Sequence, residues 1–362
     1  MNHAINKIVT VESNEPKPLF PQDEWYVCAL SKEISNKPLA RTVLNHNLVL
    51  FRHSDGNVVA LEDKCCHRSL ALSCGTVEEQ GIRCGYHGLL YGADGKCIEI
   101  PGQSKIPSKA KVKSYPIKEQ NQIVWFWYGS EQHPQPMTEP PEYSIHDNAE
   151  YIFDGDVYHY DVPYQLIHDN LMDLSHLGYV HLKTIGGNAK IHMNAEMKIT
   201  QEDNKVKVKR YMLDSTPPPT YSMAYPFEGN IDRWQEIEFN VSHILIWTGA
   251  VNVSSESLED DNRGGFHMRG FHGITPETEN TCHYFWTMAT NPFDDSKKEE
   301  IKEKVIQQTI LTFDEDREVI HQQYLNMQKF PNRSDIDIHV DVAANRARKI
   351  IEKLLNQSNV QS

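Results

Sequence analysis

Two short Cys/His pairs constrain the fold of this 362-residue chain more than any other feature of its sequence. One residue separates Cys65 from His67, two separate Cys84 from His87, and sixteen lie between the pairs. Ligands this close in sequence reach one metal centre only from a tight loop, and glycines beside the second pair permit such a loop. Two thiolates and two imidazoles bind either a Zn²⁺ ion or a [2Fe–2S] cluster with both imidazoles on one iron.

The order of these ligands favours the cluster over zinc. Zinc fingers usually place two cysteines before two histidines, whereas here the order alternates, with the two-loop spacing of a Rieske centre. Exchanging two thiolates for neutral imidazoles raises the reduction potential of a cluster, which suits an electron relay. A structural zinc site is the alternative, and Cys66 competes with Cys65 as a ligand. The seven cysteines lie mostly within residues 65–97, which fits metal chemistry better than disulfides.

Residues 21–130 have the pattern of short strands separated by turns. VLNHNLVLFR (43–52) and VVALED (58–63) flank the turn SDGN, and Asp94-Gly95 is typical of a hairpin. IVWFWYG (123–129) reads as an apolar final strand. We therefore predict a small all-β domain over residues 21–130, with both Cys/His pairs in loops between strands.

The remainder of the chain predicts a second domain of a different kind. Residues 1–20 are expected to form an arm, 131–145 a proline-rich linker and 146–358 the second domain. Strand-like stretches recur there at hairpin spacing and the helices are segregated, which is typical of an α+β arrangement around a mainly antiparallel sheet. The predicted strands are 149–163, 191–200, 204–214, 233–251, 264–273 and 281–290; the predicted helices are 166–180, about 294–329 and 341–356.

A second set of metal-ligand residue types lies in HDNLMDLSHLGYVHL (168–182). Asp173 and His176 are three residues apart, so they share one face of a helix. His181 lies five residues after His176, which requires a distortion that Gly178 would permit. Two histidines and a carboxylate form the facial triad of non-haem Fe(II) oxygenases. The alternative is an ordinary pair of surface or packed histidines at a helix end.

Together the two sets resemble those of the Rieske ring-hydroxylating oxygenases. The first matches the motif C-x-H-(x16–17)-C-x2-H, except that Cys66 and Gly85 stand where that family usually has proline. The resemblance covers about residues 20–330. It implies an N-terminal all-β Rieske domain and a C-terminal catalytic domain of the antiparallel-sheet, helix-grip (START/Bet v 1-like) type.

The resemblance also assigns roles around a mononuclear iron. Asn170-Leu-x-Asp173-x2-His176-x4-His181 matches the family's iron motif, which makes the two histidines ligands. Asn170 is expected near the iron without binding it. Asp173 is expected to accept hydrogen bonds from His87 of one subunit and His176 of the next, thereby linking cluster and iron.

The third iron ligand is expected on a late helix. The family has an aromatic-x-Glu-Asp sequence there, which Phe313-Asp314-Glu315-Asp316 matches. Asp316 is the first choice and Asp314 the runner-up. The alternative for Asp316 is a solvated acidic helix face.

The resemblance implies a terminal oxygenase of the vanillate O-demethylase, dicamba monooxygenase and toluenesulfonate methyl-monooxygenase branch. Such an enzyme uses O₂ and hydroxylates a methyl, methoxy or N-methyl group of an aromatic or similar small acid. Neither a GxGxxG unit nor a P-loop is present, so electrons must come from NAD(P)H through a separate flavin- and iron–sulfur-containing reductase, or a reductase plus ferredoxin. The alternatives are ring dihydroxylation or desaturation, a Rieske electron-transfer protein, and a zinc-stabilised binding protein.

The substrate contacts are the least determined part of the sequence. Pocket residues are expected from the sheet and from loop 215–235, while Trp234 and Trp247 read better as core aromatics. No isolated arginine clearly indicates a carboxylate partner.

Charge and hydropathy narrow the remaining possibilities. The formal net charge of −14 argues against nucleic-acid and anionic-membrane partners, which select for basic patches. No apolar run approaches the roughly 20 residues of a membrane span, and the N-terminus lacks the pattern of a signal peptide. We therefore expect a cytoplasmic protein, which the resemblance implies to be a homotrimer.

Overall fold

The computed structural model describes residues 18–254, 258–260 and 262–357, in which two sheet-based domains pack against each other. Residues 1–17 of the predicted arm lie outside this description. Phe20 is buried against the first domain's core, and the Tyr26 hydroxyl donates to the carbonyl of Pro21. Phe20, the last residue of the predicted arm, is therefore packed against the first domain.

The N-terminal domain is built from short antiparallel strands, as predicted. Ten described strands form three sheets with the orders β1-β10-β9, β2-β3-β4 and β5-β6-β7-β8. The strands are β1 Glu24–Leu30, β2 Leu39–Val43, β3 His46–Arg52, β4 Val58–Glu62, β5 Thr76–Glu78, β6 Gly81–Arg83, β7 Leu90–Tyr91, β8 Cys97–Glu99, β9 Ile117–Gln120 and β10 Ile123–Tyr128.

The C-terminal domain is a seven-stranded antiparallel sheet with the order β11-β17-β16-β15-β14-β13-β12. Its strands are β11 Ile152–Tyr160, β12 Met197–Glu202, β13 Lys205–Ser215, β14 Ile231–Asn240, β15 His243–Asn252, β16 Phe266–Pro276 and β17 Cys282–Thr290. Its helices are α1 Tyr164–Met172, α2 Leu177–Val180, α3 Ala189–Asn194, α4 Pro219–Ala224, α5 Lys298–Lys329 and α6 Val342–Gln357. No described helix combines the length and apolar character that crossing a bilayer requires.

Helices α1, α5 and α6 pack on one face of the sheet and share a core with it. The buried residues of α5 recur every three or four positions, as expected for a long helix lying on a sheet. This α+β arrangement confirms the predicted fold class, and α5 and α6 confirm two of the three predicted helices.

The predicted single helix 166–180 is wrong. Helix α1 ends at Met172, the backbone of Asp173 is extended (φ −125°, ψ 101°), and a 3-10 turn, Leu174–His176, precedes α2. The Asp173 carboxylate accepts hydrogen bonds from the Ser175 backbone N–H and hydroxyl, so Asp173 starts a new turn as an N-cap.

Three further expectations need correction. The predicted strand 233–251 is a hairpin, since β14 and β15 pair Asn240 with His243 around a two-residue turn. The first half of 191–200 belongs to α3. Loop 215–235 contains α4, and its end already belongs to β14.

An aromatic cluster joins the two domains. Trp25, Trp125 and Trp127 of the first domain pack with Phe271 and Phe285 of the second. The predicted linker takes part in this packing, because the Trp25 indole donates to the Thr138 carbonyl and Tyr143 is buried in the cluster. This packing holds the two domains in contact.

Candidate cluster site and candidate active site

The two Cys/His pairs lie in loops with the same backbone frame, one between β4 and β5 and one between β6 and β7. In the first loop Cys65 N–H donates to the Leu70 carbonyl and Ser69 N–H donates to the Cys65 carbonyl. In the second loop, Cys84 N–H donates to the Leu89 carbonyl and Gly88 N–H to the Cys84 carbonyl. The fifth residue of each frame has a positive φ: 60° at Ser69 and 73° at Gly88.

This shared frame decides which cysteine of the first loop corresponds to Cys84. Cys65 and Cys84 occupy the same position, and each is 2% exposed, whereas Cys66 is exposed. Each of the two buried sulfurs accepts hydrogen bonds from the backbone N–H groups two and three residues later in its loop. The geometry therefore pairs Cys65, and not Cys66, with Cys84.

The histidines of the two loops meet at the surface above these buried thiols. The ring centroids of His67 and His87 are 4.5 Å apart, and both residues are exposed. The Tyr91 hydroxyl lies 3.1 Å from the Cys65 sulfur, a contact that the sequence did not indicate. Two buried sulfurs and two converging imidazoles are residues that would hold a [2Fe–2S] cluster.

Electrostatics distinguish the two thiols. Burial raises the pKa of the Cys65 thiol, but hydrogen bonds from Tyr91 and the backbone outweigh burial and lower it. Burial dominates at Cys84 and raises its pKa. Both cysteines lie in a setting rich in N–H donors, which is suited to stabilising sulfur ligands.

The second set of predicted residues converges between α5 and the turn that follows α1. One ligating atom from each of His176, His181 and Asp316 lies within 4.8 Å of the others. Asp316 Oδ1 is 3.4 Å from His176 Nε2 and 3.1 Å from His181 Nε2. The latter contact lacks the angle of a hydrogen bond, so the buried His181 Nε2 has no hydrogen-bond partner among the described residues. A buried, unpartnered imidazole nitrogen beside a carboxylate fits a metal ligand.

Hydrogen bonds to the other ring nitrogens orient both imidazoles. His176 Nδ1 donates to the Asp173 carbonyl at 2.6 Å, and His181 Nδ1 donates to the Glu315 carboxylate at 2.8 Å. Such contacts fix the tautomer that presents Nε2 to a metal. Within one chain the contact to His176 comes from the Asp173 main-chain oxygen, while the Asp173 carboxylate accepts hydrogen bonds from Ser175. The link between subunits through that carboxylate stays a prediction.

Helix periodicity selects among the three consecutive acids of α5. Asp316 is buried on the face that carries Phe313, Glu315 is partly buried and contacts His181, and Asp314 is exposed. The geometry thus brings Asp316, and not Asp314, to the histidines. Asn170 donates a 3.1 Å hydrogen bond to Asp316 Oδ1, which holds that carboxylate in place.

The charges at this site depend on one another. Burial raises the pKa of Asp316, but the neighbouring His176 and His181 outweigh burial and hold it well below its usual range. Burial lowers the pKa of His181, but the Asp316 and Glu315 carboxylates outweigh burial and raise it. The site therefore favours an ionised carboxylate facing positive charge, which a metal ion would supply.

A cavity with an empty volume of about 590 Å³, part of it open to solvent, begins at this triad. The sheet contributes one wall and the segment after α1 another. The residues lining it are Asn170, Leu171, Leu174, His176, Leu177, His181, Ile185, Tyr221, Arg233, Gln235, Ile246, Thr248, Met268, His272, Met288, Thr312, Phe313 and Asp316.

Comparison with known proteins decides the family. Residues 24–116 match the Rieske [2Fe-2S] domain, and residues 160–357 match the vanillate O-demethylase oxygenase C-terminal domain. The chain belongs to the Rieske oxygenases that carry this C-terminal domain.

Individual Rieske oxygenases resemble the chain over nearly its whole length. TsaM1, the iron–sulfur subunit of the toluene-4-sulfonate monooxygenase system of Comamonas testosteroni, is 34% identical over 94% of this chain and 99% of its own length. A vanillate O-demethylase oxygenase subunit from Pseudomonas sp. strain HR199 is 34% identical over 93% and 95%. The crystal structure of dicamba monooxygenase bound to 3,6-dichlorosalicylic acid superposes with a TM-score of 0.85 at 29% identity, covering 96% of this chain and all of the other.

Membership of this family settles the cofactors. A Rieske oxygenase contains a [2Fe–2S] cluster and a mononuclear non-haem iron, and dicamba monooxygenase has been solved with its non-haem iron. The predicted family, enzyme class and cofactors are thus confirmed. These two relatives are named as the iron–sulfur subunit of a monooxygenase system and as the oxygenase subunit of a demethylase.

The sequence did not predict the contacts of three residues at these sites. Glu315 is one of three consecutive acids, and its contact with His181 depends on the packing of α5 against the turn that follows α1. Tyr91 gave no signal, since its proximity to Cys65 depends on the pairing of β6 with β7. Arg233 lies next to Trp234 on β14, and strand alternation alone would have placed it on the opposite face from that core aromatic.

Proposed function

We propose that this protein is the terminal oxygenase of a multicomponent monooxygenase that hydroxylates a methyl, methoxy or N-methyl group of an aromatic or similar small acid. The observation that carries the proposal is the cavity, which runs from the His176–His181–Asp316 triad along apolar side chains of the sheet. Toluene-4-sulfonate and vanillate, named in two relatives, are aromatic acid anions that bear a methyl or methoxy group.

We assign the ligands as the geometry arranges them. Cys65, His67, Cys84 and His87 would hold the [2Fe–2S] cluster, and His176, His181 and Asp316 the mononuclear iron. When bound, these groups supply single electrons and the activation of O₂, the co-substrate. Residues 21–130 then form the Rieske domain and 146–358 the catalytic domain, with 131–145 between them.

The chain's own residues contribute placement and exclusion of water. The Asp173 carbonyl and the Glu315 carboxylate hold the imidazoles in the orientation that presents Nε2 to the metal. Asn170 fixes the Asp316 carboxylate through the hydrogen bond to Oδ1. Ile246, Met268 and Met288 give the cavity apolar walls that favour an aromatic ring over water.

The product depends on which carbon is hydroxylated. Hydroxylation of a methoxy or N-methyl carbon gives an adduct that collapses with release of formaldehyde. Hydroxylation of an aryl methyl group gives a stable alcohol instead. Both outcomes consume one O₂ and two electrons, and the second oxygen atom leaves as water.

Electrons enter from a flavin- and iron–sulfur-containing reductase, or from a reductase plus ferredoxin, that oxidises NAD(P)H. We place the enzyme in the cytoplasm, where a reducing environment keeps its cysteines available for metal binding. These assignments rest on the family and on the cysteine usage.

We further propose a head-to-tail homotrimer in which Asp173 links the iron of one subunit to the cluster of the next. Within one chain, no hydrogen bond or ring contact among the described residues joins His67 or His87 to the triad. Both ends expose large apolar residues: Tyr86 beside His87 is 61% exposed, and Tyr179 and Leu182 beside His181 are 65% and 57% exposed. Such surfaces suit a subunit contact that closes into a ring.

A substrate panel tests the proposed reaction. Purified holoprotein with a surrogate reductase should consume O₂ with vanillate or another methoxybenzoate and release formaldehyde in equal amount. With toluene-4-sulfonate it should form the benzylic alcohol without formaldehyde. A cis-diol product from these compounds, with no one-carbon release and no benzylic alcohol, would show ring dihydroxylation and overturn the proposal.

A further inference from the structure

Two polar side chains of the cavity wall are buried without adequate partners. Arg233 and Gln235 are two residues apart on β14, so both face the cavity, whereas Trp234 between them packs on the other side of the sheet. Arg233 is 3% exposed and Gln235 is 0% exposed. Neither residue contributes to the metal sites described above.

The Gln235 side chain makes no hydrogen bond in the described part of the chain. Its side-chain nitrogen and oxygen are both inaccessible to solvent and both unpaired. Burying an amide without hydrogen bonds is unfavourable, and native proteins rarely leave both ends unsatisfied. An unpaired amide on a cavity wall is therefore free to donate to and accept from a molecule bound in the cavity.

The Arg233 side chain also has few hydrogen-bond partners. Its two terminal nitrogens reach the Ile185 and Gly186 carbonyls only at 3.3 and 3.4 Å, its Nε is unpaired, and its guanidinium lies 4.7 Å from the centroid of the Tyr221 ring. No described carboxylate forms an ion pair with it. A buried guanidinium without a counter-charge is strongly destabilising unless an anion reaches it.

We propose that Arg233 and Gln235 bind the anionic group of the substrate, a carboxylate or a sulfonate. The inference rests on the proposed function, and it adds the two residues that recognise the acid group and the orientation of the substrate in the cavity. The acid group lies against Arg233 and Gln235 on β14, the aromatic ring lies along Ile246 and Met268, and the methyl-bearing end points to the triad.

The chemistry of these side chains suits an oxyanion. A guanidinium presents its donors in a planar fork that matches two oxygens of a carboxylate or sulfonate, and the glutamine N–H₂ adds another donor. A neutral ester or amide would leave the guanidinium charge buried and uncompensated. The pair therefore selects against neutral analogues as well as for acids.

Arg233 could instead have a structural role, in which its weak hydrogen bonds to the carbonyls of residues 185 and 186 stabilise that segment of the cavity wall. A clamp of that kind would affect every ligand equally, because it would change the shape of the cavity. An anion-binding arginine affects only charged ligands. The charge dependence of binding separates the two roles.

The test is anaerobic titration calorimetry of iron-loaded holoprotein. The probes are 4-methoxybenzoate and toluene-4-sulfonate, each paired with a neutral counterpart, 4-methoxybenzamide and methyl 4-tolyl sulfone. Arg233→Met is compared with Arg269→Met, which removes the same charge from the opposite face of the sheet, where Arg269 stacks on Trp247. The spectrum of the cluster shows whether each variant is folded. If Arg233→Met does not fold, the same titrations are made with Gln235→Leu.

We expect the wild type to bind at least one acid about tenfold or more tightly than its neutral counterpart. Arg233→Met should abolish that preference while leaving the neutral probe's affinity unchanged, Gln235→Leu should reduce the preference, and Arg269→Met should retain it. Wild-type protein without an acid preference, or an Arg233→Met variant that weakens acid and neutral probes alike, would overturn the inference.

Measuring turnover with the substrate panel distinguishes failure of the anion-site proposal from failure of the proposed function. Charge-selective binding that depends on Arg233, without hydroxylation of any panel compound, contradicts the reaction and leaves the anion site intact. Demethylation with no preference for acids contradicts the anion site alone.

Discussion

At the scale of single residues, the two adjacent cysteines of the first cluster loop have different fates. Cys65 is buried and its sulfur accepts backbone hydrogen bonds, whereas Cys66 is exposed. Cys65→Ser should therefore abolish the visible absorption and electron paramagnetic resonance signals of the Rieske cluster, while Cys66→Ser should retain both. Loss of these signals in Cys66→Ser, with Cys65→Ser unaffected, would place the ligand one residue later.

The three consecutive acids of α5 give a second prediction. Asp316→Asn removes the charge that faces both imidazoles and should lower bound mononuclear iron by at least about tenfold, with turnover falling in parallel. Asp314→Asn, on the exposed face of the same helix, is the matched control and should keep its iron. Iron per subunit is measured by metal analysis, and the cluster spectrum provides an internal reference. Equal iron loss in both variants would contradict the choice of Asp316.

Spacing along the chain indicated which local side chains would lie close together. The pairs Cys65/His67 and Cys84/His87 are local, so their convergence follows from two tight loops. Glu315 and Arg233 could not be assigned in the same way, because their partners come from distant segments, His181 and the cavity. Whether an acid orients a metal ligand, or an arginine lacks a carboxylate partner, depends on packing and not on spacing along the chain.

At the scale of elements, the helix containing the iron motif was predicted as one piece and is three. The sequence from 166 to 180 has helical periodicity, but Asp173 and Ser175 form a competing local hydrogen-bond pattern. Breaking the helix there turns His176 back toward its own chain, so that its ring meets the Asp173 carbonyl. The functional distortion therefore lies at Asp173 and not at Gly178, where the sequence placed it.

Gly178 has a packing role instead. A Cβ atom built there would lie 2.3 Å from the Ala189 Cα atom, so α2 and α3 can approach only with glycine at this position. Gly178→Ala should destabilise the domain by about 1–3 kcal/mol, displace His181 and reduce mononuclear iron. Gly92→Ala is the control, because its Cβ would meet no atom closer than 3.5 Å. Melting temperature and iron content are measured together, and an unchanged Gly178→Ala protein would contradict this account.

At the scale of the whole molecule, the two-domain architecture could be predicted because the pattern of secondary structure in the sequence changes near residue 130. Short strands with turn signals precede residue 130, and longer strands with separate helices follow it. The contact between the domains could not be predicted in the same way. It depends on Trp25, Trp125 and Phe271, which are far apart in the sequence and come together through the packing of two different sheets.

The proposed trimer makes a prediction that single subunits cannot satisfy. Cys84→Ser should remove the cluster and Asp316→Asn the mononuclear iron, so each variant alone should be inactive. If electrons cross between subunits, a trimer containing both variants has one site where an intact iron faces a neighbour's intact cluster. Doubly tagged trimers from co-expression should therefore show about one third of wild-type turnover.

The alternative route gives the opposite result, because electron transfer within a subunit leaves every chain of the mixed trimer broken. The control for folding and assembly is a trimer made of one variant alone, co-expressed in two copies that carry different tags. Light scattering establishes the oligomeric state. Mixed trimers with no more activity than either variant alone would contradict transfer across the interface.

Adding Asp173→Asn to the Asp316→Asn chain tests which copy of Asp173 forms the link. Activity should survive, because the productive link uses Asp173 of the subunit that keeps its iron, whereas Asp173→Asn in the Cys84→Ser chain should abolish it.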